Sequence, residues 1–147
     1  MKKGALALLV IMTLIFNSCF EQEGIITPEI INYSLNQVDS IIVVLNYNQK
    51  VLIDNKLEIY FEDVVSDSRC PINVMCIWAG DGEVKLKFKK DNDVTHEYLH
   101  TYLEPKSVIV YNYFIKLNSL MPYPEFGKEI IKTDYKVELI IKAMQYH

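Results

Sequence analysis

Glu83-Val84-Lys85-Leu86-Lys87-Phe88-Lys89 decides the fold. Apolar and charged side chains alternate strictly along it, so one sheet face is buried and the other solvated. Working outward, Leu57, Ile59 and Phe61 alternate with Glu58, Tyr60 and Glu62. Val137, Leu139, Ile141 and Ala143 alternate in the same way with Lys136, Glu138, Ile140 and Lys142. Further β-branched or aromatic runs fall at 40–45, 50–53, 94–103 and 108–117, punctuated by turn residues at Asp54-Asn55, Asp91-Asn92-Asp93 and Glu104-Pro105. The spacing predicts seven to eight short strands and no helix. That is an all-β fold, an antiparallel β-sandwich of Ig-like or Greek-key type, over residues 36–147. The runs 94–103 and 108–117 are expected to form a hairpin. Pro122 and Pro124 exclude a central strand, so a long connection from about 118 to 133 is expected to cross between the sheets.

The first residues are of a different kind. Lys2 and Lys3 precede the apolar run Gly4 to Phe16, followed by Asn17, Ser18 and Cys19, the layout of a secretory signal. The run is shorter than the roughly 20 residues that cross a bilayer as a helix. Phe16-Asn17-Ser18-Cys19 resembles the lipobox of bacterial lipoproteins, which implies a signal at 1–18 and a lipid on Cys19. The alternative leaves Cys19 in a discarded signal or as a free thiol. Residues 19–35 lack periodicity and read as a tether, and Glu21 and Glu23 resemble an acidic signal that sends some lipoproteins to the outer membrane. Loss of Lys2 and Lys3 with the signal takes the net charge from −4 to −6, a poor match for nucleic acid.

Three cysteines in an exported chain leave one thiol over. With Cys19 lipidated, Cys70 pairs with Cys76, and closing so short a loop contributes about 2 kcal/mol in the chain-entropy model. Pro71 stiffens the loop further. Asp67 and Arg69 are expected to bond each other or nearby backbone, or else to present a carboxylate or phosphate site. Trp78, the only tryptophan, is expected to pack on the end of the core beside the disulfide. The functional alternative exposes it on a rigid loop, for a sugar ring or a protein partner.

The succession Asp67-Ser68-Arg69-Cys70-Pro71, a second cysteine at 76, and Trp78-Ala79-Gly80 resembles the signature of a family of small exported bacterial proteins, many of them lipoproteins, of unassigned function. The strands before and after the block, and Leu120-Met121-Pro122-Tyr123-Pro124 ahead of the last strand, fit the same resemblance. It implies a location and carries no activity.

No catalytic constellation stands out. His96 and His100, four apart on a strand, lie about 13 Å from each other, too far to share a metal without further ligands. Glu62/Asp63 and Asp81/Glu83 are carboxylate pairs of the kind glycoside hydrolysis uses, but at strand ends they are ordinarily solvated. Tyr98, His100 and Tyr102 on one face form an aromatic surface that cross-strand packing explains. The expected function is therefore a non-enzymatic, lipid-anchored envelope domain without cofactor or metal, held to the membrane through Cys19, with Asp67, Arg69 and Trp78 as candidate binding residues for a protein or glycan. The alternative is a periplasmic or cell-surface enzyme, or an enzyme inhibitor, acting on envelope polymers.

Overall fold

The computed structural model describes residues 30–35 and 39–144, so the expected signal and Cys19 lie outside the described residues. The described chain is a β-sandwich. Its strands are β1 (Ile31–Tyr33), β2 (Ile41–Asn46), β3 (Lys50–Ile53), β4 (Leu57–Asp67), β5 (Gly82–Lys90), β6 (Asp93–His100), β7 (Ser107–Val110), β8 (Tyr113–Met121) and β9 (Lys136–Ala143). One sheet has five strands in the order β1-β3-β4-β5-β6, the other four in the order β2-β9-β8-β7. All neighbours are antiparallel except β1 and β3.

The alternations seen in the sequence set which face is buried. Ile59, Phe61, Leu86 and Phe88 from the first sheet meet Val43, Leu45, Ile115, Leu139 and Ile141 from the second in one core. Phe61, with no exposed surface, takes the ring of Tyr47 edge-on at 5.8 Å. Two register shifts in β4, after Phe61 and after Val64, change the strand's phase, and Val64 rather than Asp63 turns inward. A shift in β8 after Leu117 likewise turns Leu120 inward. These irregularities lie at the end of the sandwich that carries the cysteine block.

Four expectations are corrected. The folded chain begins before residue 36, because Ile31–Tyr33 pairs with Val51–Ile53 and Leu35 is buried, its N–H donating to Asp54 Oδ1 at 2.7 Å. That added strand brings the described strands to nine. Residues 108–117 form two strands, since Tyr111 and Asn112 both take positive φ, 49° and 71°, in a tight hairpin turn between β7 and β8. The expected hairpin with 94–103 is therefore absent, and β6 and β7 belong to different sheets. Finally, the proline-containing connection does not cross, because β8 and β9 are neighbours in one sheet. It arches over the end of the sandwich through the short 3₁₀ turn Lys132–Asp134.

Candidate functional site

The cysteine block joins two adjacent antiparallel strands, with Asp67 of β4 opposite Gly82 of β5. Its base continues the ladder: Ser68 N–H donates to the Asp81 carbonyl at 2.7 Å and Cys70 N–H to the Ala79 carbonyl at 2.8 Å. Gly80 is required between these rungs. Its φ is +69°, and a Cβ there would sit 1.9 Å from the Ser68 carbonyl oxygen. Above the base, Cys70 and Cys76 form the disulfide, with Cα atoms 6.0 Å apart.

Arg69 turns inward from the base and is only 6% exposed. Its guanidinium makes a forked pair with Asp67, Nε to Oδ1 at 2.8 Å and Nη2 to Oδ2 at 2.6 Å. It also donates to the carbonyls of Leu120 and Pro122, and Tyr123 lies beneath it with the ring centre at 5.0 Å. Asp67 in turn accepts the Tyr135 hydroxyl at 2.9 Å and the Arg69 N–H at 3.2 Å. Three strand ends from both sheets are thus tied by one ion pair. Burial pushes the Asp67 carboxyl upward, but hydrogen bonds from Arg69 and Tyr135 and the guanidinium charge outweigh it and hold the group below the ordinary carboxylate range. The same contact, with burial first, pushes the Tyr135 hydroxyl up to about 12.

A second carboxylate anchors the other side of the base. Asp81 is buried and accepts from Tyr102 N–H at 2.8 Å, Leu103 N–H at 3.3 Å and Thr101 Oγ1 at 3.2 Å, with His100 Nδ1 at 2.6 Å from its other oxygen. Burial raises its pKa, but these partners more than compensate and hold it low. Asp81 was legible in the sequence only as one of a carboxylate pair. Its partners arrive from the end of β6 and the turn after it, some twenty residues away, and no local pattern announces them.

Trp78 is where expectation fails. It does not pack on the core but is 64% exposed, and Met75 and Ile77 beside it are fully exposed. The reason is geometric. Loop residues above a clamped two-rung base point away from the sandwich, and the disulfide turns the chain back before Trp78 can reach the core. Ile72 and Val74 add to the same apolar surface, and the Ile72 N–H bonds the Pro124 carbonyl at 2.9 Å, which holds the loop against the β8–β9 connection. The sequence signal that marks this tip is the uncharged pair Val74-Met75 and the pair Ile77-Trp78 about Cys76, in a connection too tightly closed to be buried.

The three candidate residues are therefore split: Asp67 and Arg69 bond each other and adjoining backbone, while Trp78 belongs to an apolar tip that also includes Met75 and Ile77. Two of the remaining carboxylates singled out in the sequence, Glu62 and Asp63, have basic side chains beside them. Glu62 pairs with Lys85 and His96, each at 3.3 Å, and Asp63 with Lys132 at 2.7 Å. Among the described residues, no three His, Cys, Asp or Glu side chains are grouped to hold a metal. Compared with models of known protein families, with curated proteins and with solved structures, the chain finds no match.

Proposed function

We propose that this chain is a non-enzymatic, lipid-anchored domain of the cell envelope, of the exported bacterial type its cysteine block resembles, and that its disulfide loop docks a protein partner. One observation carries the reading: Met75, Ile77 and Trp78 stand in solvent on a loop whose base is locked. Exposed apolar side chains gain free energy when a partner covers them, and a loop already ordered loses little entropy on binding. Tryptophan and methionine suit such a role, the first as an anchor and the second as an adaptable filler. A glycan would need hydrogen-bonding side chains beside the indole, and Met75 and Ile77 supply none, so an apolar protein groove fits better. An enzyme cleft filled by the loop, as an inhibitor fills it, is one form such a groove takes.

The test is a photo-reactive amino acid at Ile77 in intact cells. A defined protein adduct that disappears when Trp78→Ser is added supports the reading, whereas labelling no greater than from Lys89, exposed near the other end of β5, rejects it. Anchoring is tested separately by Cys19→Ser, which is expected to move the protein from the detergent phase to the aqueous phase on partitioning. Retention in the detergent phase would contradict the lipid.

A further inference from the structure

Strand β2, Ile41-Ile42-Val43-Val44-Leu45-Asn46, closes one side of the four-stranded sheet and carries no charged side chain. The other sheet margins are protected. β6 bears Asp93, His96, Glu97 and His100, while β7 and β1 are only four and three residues long. An uncharged six-residue edge rich in β-branched side chains is unusual in a protein that stays alone, because its free N–H and C=O groups invite another strand.

The hydrogen bonds among the described residues show which groups β9 takes and which face away from it. Tyr47 N–H donates to the Tyr135 carbonyl at 2.9 Å, so the odd residues of this segment, through Leu45, Val43 and Ile41, turn their backbone groups to β9. The even residues face the open edge. Asn46 is capped there, its N–H by Gln49 Oε1 and its carbonyl by Gln49 N–H, each at 2.9 Å. Ile42 and Val44 have no such cap among the described residues, and their side chains, 61% and 51% exposed, lie on the outer face of the sheet.

We infer that β2 pairs with β2 of a second copy of this chain, antiparallel about a two-fold axis at Val43. Ile42 then stands opposite Val44 of the second copy, and Val44 opposite its Ile42, each pair exchanging both backbone hydrogen bonds. No group at the open edge between them is left over. Behind Ile42 lies Ile140 of β9, so the pairing joins Ile140, Ile42 and Val44 of the second copy into a continuous apolar stripe across the outer face. The same register sets Ser40 opposite Asn46 and Asp39 opposite Tyr47, so no like charges meet. The two four-stranded sheets become one. The Asn46 end of β2 adjoins Lys136, which adjoins Met121 at the clasp, so the antiparallel arrangement leaves the two disulfide loops at opposite ends and both free.

The experiment joins a mass measurement to a register measurement on the processed, lipid-bearing chain. Sedimentation equilibrium in density-matched detergent should give twice the mass of one processed chain, and Ile42→Lys with Val44→Lys should give a single chain with an unchanged circular dichroism spectrum. Should that double variant not fold, Val44→Pro serves instead, since it removes only an N–H at the open edge. In intact cells, Ile42→Cys with Val44→Cys should form a disulfide-linked dimer on a non-reducing gel, far more than either single cysteine. A wild-type chain that sediments alone overturns the proposal. So does a dimer that survives both edge variants, or one abolished by Met75→Ser and Trp78→Ser instead.

Discussion

The base and the tip of the cysteine block differ in almost every physical respect although only a few residues separate them. At the base, Arg69 is buried and Asp67 half-buried, and the two bond each other and several further partners; at the tip, Met75, Ile77 and Trp78 are apolar and in water. The comparison shows how a small fold exposes an apolar surface without collapsing onto it. A buried ion pair that seldom adds net stability supplies geometry instead, and it fixes the loop's root where hydrophobic packing would draw the tip inward.

Substitution should separate the two regions. Arg69→Met has the largest effect, because it leaves the Asp67 carboxylate without its countercharge and the Leu120 and Pro122 carbonyls without the guanidinium donor. A loss of about 3–5 kcal/mol in urea unfolding is expected. A change below about 1 kcal/mol, within the range of surface pairs, would show that the clasp does not hold the loop's root.

Cys70→Ser with Cys76→Ser comes next, with a loss of about 2 kcal/mol from the unfolded-state constraint. It should also raise amide exchange at the tip while leaving β4 and β5 protected. Uniform loss of protection would place the disulfide in the cooperative core rather than in the loop.

Acid should then weaken the base selectively. Asp67 and Asp81 have folded pKa values below their unfolded ones, so their contribution is complete above the ordinary carboxylate value of about 4 and is lost as pH falls through the lower folded values. Stability measured from pH 5 to pH 2 should fall, and Asp67→Asn should flatten part of that slope. A slope unchanged by the variant would remove Asp67 from the account.

Smallest in stability, and largest in function, is the triple change of Met75, Ile77 and Trp78 to serine. It should alter unfolding free energy by no more than about 0.5 kcal/mol, as exposed positions do, while abolishing partner capture. A strongly destabilised variant would mean that the tip packs after all.

The sandwich was legible wherever one face is buried, as at 57–61, 83–89 and 137–143, because burial imposes the two-residue period. It was less legible where local chemistry overrode the period. Tyr111-Asn112 forms a tight hairpin turn without the glycine that usually marks one, so two short strands read as one. The bonding of Asp67 with Arg69 was readable from their spacing, but the carbonyls of Leu120 and Pro122 come from strand ends more than fifty residues away. Trp78 was misplaced because apolar character argues for burial, whereas the two-rung base and the disulfide decide which way the loop points.

Trp78 is the only tryptophan, so its fluorescence reports on the tip alone. In the free folded protein the account predicts emission like that of indole in water, ready quenching by acrylamide, and almost no wavelength shift on unfolding. Blue-shifted, protected emission that moves to the red as the protein unfolds would contradict it.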